Sequence, residues 1–398
     1  MTKSGSSPTH APSGGSQQDG SQAPRDGSIL PIREEEAGVK TEECRGVALS
    51  ELNHAPTCSA PLSKLEASRD HSLLIRPPVI AGIIPCPHPD KYHDAWDENH
   101  VRMPCSSNNL YPKTSPQQRG KTLQMRWELI ETVLLGNMQS SLDLEEAILV
   151  YNARYAARWT FGSLHELFTD RLSRREADDI LRYTLPKMAE LALQLPFVVT
   201  RPIRLLKHGC THSLTFSQHQ VACLLANAFF CTFPRRNSTS KQCEYQNFPT
   251  INFSALYSGS GHGGGSGGGG GGRKLEKLKT LLHYFRRVTR KMPTGTVTYR
   301  RQHLSNLPDW EGSTHQLPRL HLSATGKIED EGQGMLQVDF ANRWVAVAPS
   351  RGLVQEEIRF MICPEMIIAR LFTEVLQPDE CLVMTGCERF SSYSDNGG

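Results

Sequence analysis

The chain has 398 residues, 38% hydrophobic and 21% charged, and 44 Lys and Arg against 41 Asp and Glu leave a formal charge of only +3. That length predicts two or three domains, and the near-neutral balance excludes a whole-chain field drawing it to nucleic acid or membrane. The longest apolar runs, such as Val221 to Ala226, fall far short of the roughly 20 residues that span a bilayer, so no transmembrane segment is expected.

Residues 1–72 are rich in Ser, Gly, Pro, Glu and Asp and lack aromatics, a composition that predicts a disordered tail. Met1 to Gly20 has no apolar stretch of the secretory type. Eleven scattered cysteines then read as reduced thiols, which points to the nucleus or cytoplasm. Residues 73–258 read as an ordered strap followed by a helical domain. Prolines, Tyr92 and Trp96 between Pro77 and Pro112 suggest irregular structure lying over a surface. Trp127, Ile130, Val133 and Leu134 recur at helical spacing, as do Leu144, Ala147, Ile148 and Tyr151. Pro186 and Pro196 stop helices or open them, and Ser217-Gln218-His219-Gln220 is a capping box ahead of the apolar run Val221 to Phe230. Residues 259–272, almost all glycine, read as a flexible linker or insertion.

From residue 273 to 398 the pattern changes to mixed α/β. Lys274 to Arg290 is amphipathic and basic, and Thr296 to Tyr299 reads as a strand. Leu320 with Leu322, and Leu336, Val338 and Phe340, alternate as strands do. Val354 to Leu376 is helical in pattern and Cys381 to Thr385 reads as a buried strand, an order expected of a parallel three-layer fold.

Three groups of residues invite chemistry. Cys86, His88, His93, His100 and Cys105 crowd together, but no second close pair follows the Cys-x-His pair, so no metal is expected. Between Arg273 and His303 stand ten Lys or Arg and one acid, Glu276, which is either a solvated helix face or a surface for a phosphate-bearing polyanion, with Tyr284, Phe285 and Tyr299 as possible stacking rings. Asp339 and Asn342 fall at the expected carboxyl end of a strand, where open α/β sheets place ligands. Glu356 and Glu357 fall in the first turn of the following helix, where they serve as acids of a catalytic cleft or simply complement the helix dipole.

The words Arg126-Trp127-Glu128-Leu129-Ile130, Leu224 to Arg236 (LLANAFFCTFPRR) and Gly332 to Arg343 (GQGMLQVDFANR) resemble the vertebrate-type poly(ADP-ribose) glycohydrolase family, and the resemblance runs from about Cys86 to Tyr393. It implies a helical accessory domain on a macrodomain, a three-layer α/β/α unit that binds ADP-ribose. The family signature is a triple-glycine loop followed by Gln-Glu-Glu, and Gln355, Glu356 and Glu357 match its second half. The resemblance therefore implies that Glu357 is the general acid, that Glu356 and Asn342 hold ribose hydroxyls, and that Asp339 supports the site. It implies that Ile328 and Glu329 contact adenine and that Gln355 contacts substrate, with neither metal nor cofactor. The implied partner is poly(ADP-ribose), including polymer on modified proteins, in the nucleus or cytoplasm and in the DNA damage response; sequence-specific nucleic acid and membrane are not implied.

Two departures from the pattern stand out. Where the family has its glycines, this chain reads Trp344-Val345-Ala346-Val347-Ala348-Pro349-Ser350-Arg351-Gly352. Ala346 and Val347 enter left-handed conformations at a steric cost, and Pro349 has no N–H to offer a diphosphate. The Val-Ala alternation is what GGN codons give when read one base out of frame, so a local frameshift is expected; resequencing that finds genuine in-frame codons rejects it. The chain also stops at Gly398, where the resemblance implies further strands, so a partial macrodomain with exposed sheet edges is expected. The rival expectations are an inactive paralogue or truncated isoform that only binds the polymer through Arg273 to Arg301, and an interaction module built on residues 120–232.

Overall fold

The computed structural model describes residues 65–113, 122–237, 242–259, 270–316, 326–332, 334–345 and 355–393. Strand β1 (His71–Leu73) leads into the irregular strap, and β2 (Leu110–Lys113) pairs antiparallel with β3 (Thr122–Met125). The helical layer follows as α1 (Arg126–Leu134), α2 (Ser141–Val150), α3 (Gly162–Glu166), α4 (Arg174–Asp179), α5 (Leu185–Leu193) and α6 (Leu195–Val198). π-Helical segments at Leu167–Arg171 and Ile180–Thr184 continue α3 and α4, a feature the periodicity does not announce. Then come β4 (His212–Ser217), α7 (Gln218–Phe229), α8 (Ser254–Tyr257), α9 (Gly270–Arg290) and β5 (Thr296–His303). The last described part contains α10 (Ile328–Glu331), α11 (Gln355–Ile362), α12 (Ala369–Phe372) and β6 (Glu380–Thr385).

Helix α7 is the centre of the core. It is largely apolar, as Val221 to Phe230 predicts, and buried on nearly every side, so it is stable only when covered all round. Helices α5, α6 and α9 and strands β4 and β5 pack against it. The expected capping box forms: Ser217 Oγ accepts from Gln220 N at 3.1 Å, and the Gln220 side chain accepts from Ser217 N at 2.9 Å. Ser217→Ala should lower stability by about 1 kcal/mol; urea unfolding that finds the variant unchanged would show that the buried strand–helix junction holds α7 without its cap.

The sheet order is β1-β4-β5-β6, with β1 parallel to β4 and the other two pairs antiparallel. The sheet therefore takes strands from both sides of the glycine-rich segment, in register Leu214 to Tyr299 to Met384. Phe216, Tyr299 and Phe372 fill one face of it, with ring centroids 5.2 to 5.8 Å apart.

Several expectations are corrected. Among the described strands only β1 and β4 pair in parallel, and the helical layer supplies the long crossover that such a pair needs. His71 and Ser72, assigned to the tail by composition, lie in β1, because their partner strand is some 140 residues further along the chain. Strand β6 is partly exposed rather than buried, since it lies at the end of the described sheet. Leu336, Val338 and Phe340 form no strand: they pair with no described residue and stay 81%, 57% and 84% exposed. Alternation gives a strand two faces but not a neighbour to bond with. Leu320 and Leu322, residues 1–64, most of the glycine-rich segment (260–269) and the altered loop (346–354) lie outside the described residues.

Candidate active site

Gln355, Glu356 and Glu357 form the first turn of α11, and Phe360, Met361 and Ile362 behind them draw the helix into the core. Gln355 stays exposed, whereas Glu356 and Glu357 are only 6% and 5% exposed. Carboxylates that merely complement a helix dipole stand in water; these two are held inside the protein, where charge must be compensated.

Each has its surroundings. The Asn342 backbone N–H donates to Glu356 Oε2 at 2.9 Å, tying the segment after Asp339 to the start of α11. The buried guanidinium of Arg370 faces Glu356, and it also donates to the carbonyls of Val345 and Thr250. The charge of Glu357 is felt by Asp339 on one side and by Lys277 of α9 on the other. Both oxygens of Asp339 are shut off from solvent and have no hydrogen-bond partner among the described residues. Burial pushes the Asp339 carboxyl above its usual range; Arg359 opposes this and Glu357 adds to it. A half-buried, unpaired carboxyl beside a second one is the environment in which acid–base pairs are found.

Asn342 is exposed, and its Oδ1 accepts from Trp344 N at 3.1 Å. Val345, next to the altered loop, is buried with φ of 52°, a left-handed conformation that strains a β-branched residue. Ile328 and Glu329 open α10; Tyr393 Oη donates to Glu329 Oε1 at 3.3 Å, and Lys327 Nζ lies 4.4 Å from the centroid of the Tyr393 ring.

The basic stretch is less available to a polyanion than its composition suggests. Lys277 and Arg301 are fully buried, Arg286 and Arg290 pair with Asp179, and Arg300 donates to Ser213 Oγ. Tyr284, Phe285 and Tyr299 are core residues closed to any base. Among the described residues no group of three or more His, Cys, Asp or Glu is placed to hold a metal, and no helix is long and apolar enough to cross a membrane. Lys277 and Arg370 also border the site. Both sit in apolar phase, Lys277 beside Leu278 and Leu281, and Arg370 inside the run Ile367 to Phe372, so the sequence does carry a signal for them.

Two family models match the chain. Residues 172–301 match "Poly (ADP-ribose) glycohydrolase (PARG), helical domain" and residues 307–397 match "Poly (ADP-ribose) glycohydrolase (PARG), Macro domain fold". The chain is similar to "Probable poly(ADP-ribose) glycohydrolase 2" of Arabidopsis thaliana, 29% identical over 306 residues, covering 68% of this chain and 56% of the relative. "Poly(ADP-ribose) glycohydrolase 1" of the same plant is 33% identical over 247 residues, 58% of this chain and 42% of the relative. "Poly(ADP-ribose) glycohydrolase 2" of Caenorhabditis elegans is 37% identical over 191 residues, 47% of this chain and 34% of the relative. The matches with the two plant proteins thus span about half the length of each.

Proposed function

We propose, from the premise that this chain belongs to the poly(ADP-ribose) glycohydrolase family, that it hydrolyses the ribose–ribose bonds of poly(ADP-ribose), free or attached to modified proteins, and releases ADP-ribose. One observation carries the reading: Glu356, Glu357 and Asp339 are brought together, mostly buried, at the start of α11, with Asn342 tied to Glu356.

A sugar alkoxide is a poor leaving group, so the bond needs a proton donor at the departing oxygen and a negative charge near the developing oxocarbenium. Glu357 gives its proton to the departing ribose oxygen as the glycosidic C–O bond breaks. Water adds to the sugar carbon, and its proton returns to the carboxylate. Glu356 and Asn342 hold ribose hydroxyls, Asp339 supports the site, Gln355 contacts the substrate, and Ile328 receives the adenine together with Glu329, which Tyr393 holds by a hydrogen bond. No step calls for a metal.

The test is release of ADP-ribose from labelled poly(ADP-ribose) by the purified chain, beside a version in which Ala346, Val347 and Ala348 are all replaced by Gly. Backbone N–H groups free to adopt left-handed geometry approach a diphosphate closely. The restored chain should therefore show the higher kcat/KM. If neither chain releases ADP-ribose although both fold, the enzyme reading fails.

A further inference from the structure

Lys277 is the one lysine that is fully buried among the described residues, only 1% exposed. A lysine is almost never enclosed in this way without a compensating charge, because an ammonium group taken out of water loses its hydration. Lys277 lies on the inward face of α9 beside Leu278, Leu281 and Tyr284. Helix α9 packs against α11, whose buried first turn brings Glu357 to this side.

The charges around the pair are one-sided. On α9, Arg273 and Lys274 lie a turn before Lys277 and repel it, and Lys274 is occupied with Ser258. On the Glu357 side, Asp339 is a like charge partly offset by Arg359, while Glu356 is taken up by Asn342 and Arg370. Burial lowers the Lys277 pKa, and Glu357 is the neighbour that raises it.

We propose that Lys277 is a positioning residue for Glu357: an enclosed ammonium on α9 that holds the acid's carboxyl in the orientation proton transfer needs. This rests on the reading of Glu357 as the general acid. Without the ammonium, Glu357 loses the opposite charge that α9 presents to it while the like charge of Asp339 remains, and a displacement of about 1 Å lowers turnover roughly 10²-fold.

Two measurements on the full chain test this. In polymer hydrolysis, Lys277→Met should lose about 10²-fold in kcat with KM little changed, and Lys277→Arg should recover most of the loss. In a Glu357→Gln background, Lys277→Met should add no further loss, because a residue acting through Glu357 has nothing left to orient. The second measurement does not depend on activity: nuclear magnetic resonance titration of the Lys277 side chain should show its midpoint falling when Glu357 becomes Gln. An unmoved midpoint, or a Lys277→Met loss that is as large without Glu357 as with it, overturns the proposal. If Lys277→Met fails to fold, Lys277→Arg and the titration still decide. If the midpoint falls but no form releases ADP-ribose, the Lys277–Glu357 contact stands and the enzyme reading it rests on is what fails.

Discussion

Glu357→Gln should reduce hydrolysis of poly(ADP-ribose) by about 10²- to 10⁴-fold in kcat, the range general acid catalysis contributes, while leaving polymer binding close to that of the parent. Gln keeps the size of the side chain but replaces the carboxyl with an uncharged amide that has no acidic proton to transfer. The competing role for Glu357 is to complement the dipole of α11, and that role makes a different prediction. Loss of one charge in a first helical turn costs roughly 0.3–1 kcal/mol, so a purely capping Glu357 gives a slightly less stable protein with unchanged turnover. Turnover at saturating polymer and the thermal midpoint, measured on the same preparations, separate the two. A variant that keeps its full kcat and loses a few degrees in midpoint removes Glu357 from the chemistry.

How much of this was legible in the sequence depends on whether the signal was local. Ser217 and Gln220 announce the start of α7, because a capping box is closed within one turn. Thr296 to Tyr299 announce β5, and Gln355, Glu356 and Glu357 fall on α11 where the helical pattern puts them. Signals that need a distant partner are not local and mislead. The strand at Leu336 to Phe340 has the right alternation and no described neighbour, and β1 hides in a polar stretch whose partner, β4, lies beyond the whole helical layer. Lys277 counted as one more cation in a basic run, although its helical phase places it on the apolar side with Leu278 and Leu281. A charge at an apolar phase position is a stronger pointer to a site than the number of charges around it, because only a specific partner makes such burial tolerable. Arg370, buried within the run Ile367 to Phe372 and favoured in its charged form by Glu356, repeats the pattern.

Arg301 is the clearest case of an enclosed charge, and Arg301→Met should destabilise the protein by about 3–5 kcal/mol, the usual penalty for removing one partner of a buried ion pair. Both side chains of the pair are fully shielded from solvent. Arg301 Nε donates to Glu380 Oε1 at 3.0 Å and its Nη2 to Glu380 Oε2, linking β5 to β6. Its remaining donors reach the carbonyls of Leu206 at 2.8 Å, Glu374 at 2.7 Å and Val375 at 3.1 Å, so one guanidinium joins two strands to the segments before β4 and after α12. Met fills similar volume but takes the counter-charge from a buried carboxylate and the guanidinium donors from three carbonyls, leaving Glu380 the N–H groups of Gln377 and Gly209. The pH dependence has a definite sign. Against the upward push of burial, the hydrogen bonds from Arg301, the N–H groups of Gln377 and Gly209 and the Arg301 charge hold the Glu380 carboxyl at about 2. A depressed carboxyl stabilises the fold fully above the unfolded value of roughly 4.3 and loses that contribution as the pH falls toward the folded one. In Arg301→Met the N–H groups of Gln377 and Gly209 are left to oppose burial without the guanidinium, so Glu380 is easier to protonate than in the parent and the variant loses less stability in acid. Urea unfolding at several pH values should thus give the widest gap near neutrality and a narrowing gap below pH about 4.3. A gap under about 1 kcal/mol at neutral pH, the value of a solvent-exposed pair, would mean that water reaches Arg301 and that the junction of β5 and β6 is held by its backbone ladder alone.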